Sequence, residues 1–166
     1  MGEPAVAVPG ARDLALLRAW LDALATSMEA TDYAGARTRY VQEHFFQYGA
    51  IRPELLRGLD DAQAHQWEDV WPHVTSARFD HDTLAATMSG DRRWAVVAAT
   101  LLVSGESFHD VPNRSTLVLV RSSVDDPWLA AHAHFSMPQR GVRRAPESPP
   151  APATLTEGSS SSPAPA

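Results

Sequence analysis

From Leu14 the apolar positions recur at Leu17, Leu21, Leu24 and Met28, spacings of three and four that give one apolar face to an amphipathic helix. Asp32 then offers an N-cap to a second, shorter helix through Tyr40 and Val41. A third helix is predicted from Asp60, where Gln63 stands as in a capping box. It carries Ala64, Trp67, Val70 and Trp71 on one side and stops at Pro72, which cannot continue a helix. After that the pattern turns strand-like. Phe45 to Ala50 reads as a short strand, and Val74–Met88, Arg92–Phe108, Arg114–Val124 and Pro127–Met137 as longer ones. Turn-like Ser89–Asp91, His109–Asn113 and Asp125–Pro127 separate the long ones. Connections this short suit antiparallel neighbours. Helices followed by a meander define an α+β architecture, one sheet face packed on the helices.

Composition sharpens this picture at a few points. The chain has 166 residues, about one domain's worth. It has no cysteine, which excludes disulfides, thiol nucleophiles and zinc–thiolate sites. All 14 basic residues are arginine, which removes lysine Schiff-base chemistry. A net charge of −6 with scattered arginines argues against a nucleic-acid partner. No apolar run is long enough to span a membrane, and the N-terminus lacks the basic start and long apolar segment of a signal peptide. The expectation is a cytoplasmic protein with no membrane partner. Residues 1–10 are expected to be flexible, 11–139 to fold, and 140–166, rich in Pro, Ala and Ser, to form a disordered tail.

Several of these segments, in order, resemble the SnoaL-like branch of the nuclear transport factor 2-like superfamily. Thr31-Asp32-Tyr33-Ala34 resembles the opening of that family's second helix, and Phe45 to Gly49 its short strand. Gly58-Leu59-Asp60 resembles the entry to its third helix, followed by Gln66-Trp67 and Val70-Trp71-Pro72. Arg114 to Leu119 looks like the penultimate strand. Trp128, His132, His134 and Ser136 match the terminal W-x-x-x-H-x-H-x-S. The similarity covers residues 12–138. Relatives include ketosteroid isomerase-like proteins and the calcium/calmodulin-dependent kinase II association domain. The resemblance implies an α+β cone, three N-terminal helices on a curved, mostly antiparallel sheet, a conical pocket and a homodimer.

Candidate chemistry centres on the last strand. Strict alternation puts Trp128, Ala130, His132, His134 and Ser136 on one face and Leu129, Ala131, Ala133, Phe135 and Met137 on the other, apolar one. His132 and His134 could act as general acid and base in a cavity, since imidazole titrates near neutral pH. They could instead supply two metal ligands, with a third from His81, His109, Glu106, Asp80 or Asp82, though no spacing selects one. The competing reading is that His132, His134 and Ser136 satisfy one another, neighbouring strands or a subunit interface.

Arg114 and Thr116 share a strand face. Arg114 pointing into a pocket would recognise an anion, whereas pairing with Glu106 or Asp110 would be a surface feature. Tyr48, Trp67, Trp71 and Trp94 could line an apolar cavity or fill it. The carboxylates of a ketosteroid isomerase-like or an epoxide hydrolase-like site are not matched. The reading is therefore a small-molecule cavity for an apolar or weakly anionic metabolite, without metal or organic cofactor. Its enzymatic form is a cofactor-independent isomerase, cyclase or hydrolase-type proton transfer by a cavity histidine. The alternative is a non-enzymatic association module.

Overall fold

The computed structural model describes residues 6–138. The tail expected at 140–166 lies outside the described residues. Within them, α1 spans Ala11–Glu29 and α2 Tyr33–Arg37. A third helix opens as α3, Gly58–Ala62, and continues through a π-helical turn at Gln63–Trp67, an α-helical turn at Glu68–Val70 and a 3-10 turn at Trp71–His73. The strands are β1 Val6–Ala7, β2 Phe46–Tyr48, β3 Leu55–Arg57, β4 Ser76–Ser89, β5 Trp94–Gly105, β6 Phe108–Val120 and β7 Leu129–Ser136. They form one sheet in the order β1-β4-β5-β6-β7-β2-β3, antiparallel except for the parallel β2–β7 pair. Helices packed on a curved sheet make the α+β cone that the sequence predicts.

Local chemistry explains most boundaries. Asp32 caps α2 as expected, accepting from the Gly35 amide at 2.9 Å. α2 is shorter than predicted because Arg39–Val41 leave the helix to pair with β7. Val41 N donates to Ala130 O at 3.0 Å, and Ala130 N to Arg39 O at 2.8 Å. The third helix starts earlier than Asp60, at Gly58 with φ 82°, and the predicted capping box does not form. Gln63 instead reaches Arg37 and Glu68, while Asp61 accepts from the Arg57 amide at 2.8 Å. The turn expected at His109–Asn113 is strand, because the hairpin closes earlier, between Gly105 and Phe108. Val6 and Ala7 pair with Ser89 and Met88, so part of the segment expected to be flexible is an edge strand.

The core lies between α1 and the concave sheet face. Leu17, Leu21 and Leu24 are fully buried there against Val97, Leu117 and Leu119, as the helical periodicity requires. Each fully buried leucine contributes about 1.5–3 kcal/mol. Phe79, Ala133 and Phe135 extend the same apolar face.

At one end a buried ion cluster fixes α1 to the sheet. Asp13, 4% exposed, accepts from Arg92 at 2.8 and 2.9 Å and from Arg121 at 3.1 Å. Arg121 also donates to the Arg92 carbonyl at 2.9 Å and lies 4.1 Å above the Trp128 ring. Hydrogen bonds from Arg92, then from Arg121, hold the Asp13 carboxyl below its ordinary 3.8 despite burial. A lowered carboxyl stabilises the fold above its unfolded pKa and loses that contribution as pH falls below it. Asp13→Ala should therefore cost roughly 3 kcal/mol at neutral pH, by denaturant melts, because Arg121 is left buried and unpaired. That cost should shrink below about pH 3.8.

Candidate functional site

The sheet's curl leaves space that its helices do not fill. A cavity of about 430 Å³ opens between the third helix and the inner faces of β2, β5, β6 and β7. Trp67, Trp71, Val74, Leu101, Val103, Phe108 and Phe135 supply most of its apolar wall. Trp67 and Trp71 stack at 4.9 Å with their rings 11° apart. The half-exposed Ile51 and Met137 mark its solvent side.

The π-helical turn over Gln63–Trp67 lies at this wall, and Gln66 and Trp67 within it are both buried, at 5% and 2% exposure. Gln66 then needs room over β2, and Gly49 provides it, since a Cβ at Gly49 would collide with the Gln66 carboxamide. Gln47, between Phe45 and Gly49 on the inward side of β2, is wholly buried.

Polar groups on this wall are few and mostly neutral. Gln47 Nε2 and Oε1 and Gln66 Oε1 are buried without a hydrogen-bond partner in the protein. Asn113 lines the cavity and donates to Val111 O at 3.2 Å. Tyr40 also lines it, and burial pushes its hydroxyl well above the usual phenol range, so it stays protonated. Asp69 and His73 are the ionisable groups at the solvent side, Asp69 accepting from Arg52 at 2.7 Å.

The predicted site residues divide accordingly. Trp67 and Trp71 line the cavity as expected. His132, His134, Ser136, Tyr48, Trp94, Arg114 and Thr116 do not; they sit on the outer, convex face. The reason lies in β7, where the pairing slips from Val118–His132 to Leu119–Ala130. This bulge puts Trp128 and Ala130 inward with Ala133 and Phe135, and turns the histidines outward.

Outside, the histidines meet β2. His132 Nδ1 lies 3.1 Å from Phe46 O, in position to donate, with the two rings at 4.5 Å. His134 lies beside Tyr48 at 5.8 Å. Thr116 faces His134 across the ladder, and Ser136 faces Arg114. Arg114 is exposed and reaches only Met137 O, at 3.4 Å, while Asp110 pairs with Arg78. Among the described residues no three histidine or acidic side chains come together to hold a metal ion. No helix among them is long and apolar enough to cross a membrane.

Comparison with known proteins agrees with this architecture. Among solved structures, a nuclear transport factor 2-like protein of unknown function from Pseudomonas putida is 18% identical, with TM-score 0.63 over 78% of this chain and 89% of that one. A candidate dehydratase of the same fold family from Streptomyces avermitilis is 16% identical, TM-score 0.63, over 78% and 98%. A ketosteroid isomerase-like protein from Erwinia carotovora is 17% identical, TM-score 0.59, over 79% and 100%. At these identities the likeness is one of fold: the molecule is a nuclear transport factor 2-like cone. A family model for the SnoaL-like domain matches residues 17–140, so the chain belongs to the SnoaL-like domain family. No curated protein matches it.

Burial, opposed by the bond to Phe46 O and reinforced by His134, holds the His132 imidazole below its ordinary 6.5. The folded state thus binds this proton less readily than the unfolded chain, and stability falls as pH drops from about 6.5 through the lowered midpoint. Histidine-resolved NMR should find the His132 midpoint below 6.5, and His132→Gln should flatten that part of the stability–pH curve.

Proposed function

We propose that this SnoaL-like protein binds a small, predominantly apolar molecule in the cavity between its third helix and the inner sheet face. The observation that carries the reading is an aromatic-walled space of about 430 Å³ whose deepest polar groups, Gln47 and Gln66, have no partner in the protein. Pockets of this size with few convergent polar groups are the usual form of small-molecule sites. The names of two structural neighbours, a ketosteroid isomerase-like protein and a candidate dehydratase, are consistent with a cavity that works on such molecules. The proton-transfer form of this reading, an isomerase, cyclase or hydrolase, moves from His132 and His134 to His73 and Asp69, the histidine and acid on the cavity wall.

The test is occupancy. N-phenyl-1-naphthylamine, a neutral fluorescent probe, should bind saturably at one molecule per chain. Val103→Trp, which fills the cavity, should weaken binding by at least about tenfold, roughly 1.4 kcal/mol. Equal affinity in the variant would remove the cavity from the account.

A second reading, self-association, is supported by the outer sheet face. Phe46 and Tyr48, each 41% exposed, and Trp94, 38% exposed, stand on it. The rows Val96–Val118–His132–Phe46 and Ala98–Thr116–His134–Tyr48 cross four strands without a charge. Solvated sheet faces ordinarily alternate to polar residues, and an uncharged one invites cover. A second copy of this chain is the proposed partner. Sedimentation should give twice the chain mass for the wild type and the single-chain mass for Phe46→Glu.

A further inference from the structure

The cavity reading can be taken one step further, to the class of ligand, by counting what its buried wall lacks. Gln47 leaves both carboxamide atoms unpartnered, and Gln66 leaves its oxygen. A glutamine amide donates through nitrogen and accepts through oxygen, so Gln47 is matched best by a group that sets an acceptor and a donor on neighbouring atoms, which a hydroxyl, with its single oxygen, does not. A ketone or ether offers only acceptors and leaves Gln47 Oε1 and Gln66 Oε1 bare. A carboxylate is also acceptor-only, and among the described residues no arginine lines the cavity to neutralise it. The one acid among the described residues of the wall, Asp69, already holds Arg52. Trp67 and Trp71, stacked on each other between Tyr40 and Tyr33, give the rest of the wall an apolar aromatic surface.

Resting on the cavity reading above, we propose that the ligand is an uncharged, largely apolar compound with a lactam- or amide-like edge read by Gln47, the second N–H of a primary amide being the group that would reach Gln66. Gln47 is then the specificity-determining residue, because its two unpartnered atoms match the paired donor and acceptor of such an edge. The last torsion of a glutamine is soft, so the carboxamide can turn to meet the ligand without disturbing β2. Gly49 is part of the same device: it gives Gln66 the space to lie beside β2.

Three bicyclic probes of similar size separate the possibilities in isothermal titration: 2-quinolinone, naphthalene and 2-naphthoate. The expected result is that 2-quinolinone binds at least about tenfold more tightly than naphthalene, because it adds two hydrogen bonds to Gln47, and that 2-naphthoate binds most weakly. Gln47→Leu should keep the naphthalene affinity and erase the 2-quinolinone preference. Should Gln47→Leu fail to fold, the wild-type ranking of the three probes decides without it. Equal binding of 2-quinolinone and naphthalene, or tightest binding of 2-naphthoate, overturns the amide-edge proposal while leaving an apolar pocket intact. Binding of none of the three overturns the proposal and the cavity reading together.

Discussion

Tyr40 is the contact at which α1, the third helix and the β2–β7 edge of the sheet meet. Its ring, 1% exposed, meets Trp20 of α1 at 6.1 Å, Phe45 ahead of β2 at 4.9 Å and Trp67 of the third helix at 5.3 Å. Its backbone bridges to Ala130, on β7 beside the bulge. The aromatic chain continues through Trp71 to Tyr33, near the start of α2. Offset and edge-on aromatic pairs add about 0.5–1.5 kcal/mol each beyond the area they bury. One residue thus ties α1, the third helix and the β7 edge of the sheet to one another, which fixes where the third helix lies above that edge.

The cavity follows from that placement. Tyr40 occupies the inner end of the space, and the third helix runs over the remainder, held off the sheet by the bulk of Trp67 and Trp71. The π-helical turn carries Gln66 and Trp67, both buried at this wall, so one short segment supplies an indole and a carboxamide to the site.

How far the sequence predicts all this depends on whether a signal is periodic or depends on a single local irregularity. The leucine spacing of α1, the Asp32 cap and the strand patterning are repeated or strongly local, and the structure has them. Alternation also separates Ala133, Phe135 and Met137 from His132 and His134 correctly. What alternation leaves open is which of the two faces looks inward. An apolar concave face wins, because helices must pack on it, and the bulge in β7 brings Trp128 and Ala130 to that face as well. The histidines of the closing motif drew attention by their chemistry, yet their place is the outer face. Gln47 carried a quieter signal, a polar residue on the same strand face as Phe45 and Gly49. Gln66 gave no signal of its own, since a glutamine among the polar positions of a predicted helix is ordinarily solvated.

The treatment of buried polarity differs between the two ends of the molecule, and the difference bears on function. At the Asp13 end, a carboxylate and the Arg121 guanidinium are taken from water, and each finds partners, the half-buried Arg92 and its carbonyl among them. Inside the sheet, Ser115 Oγ is likewise matched, to Ala99 O at 2.5 Å. Polar groups buried without partners cost about 1–3 kcal/mol each, so a fold leaves few of them. Among the described residues five such side-chain atoms occur, and three belong to Gln47 and Gln66. The other two, on Arg39 and Trp128, lie beside a separate surface hollow along α1. A leucine or methionine at position 47 or 66 would fill the wall without that cost. Stability alone therefore gives no reason for these carboxamides, and it is this unexplained polarity on which the proposed recognition of a polar group rests.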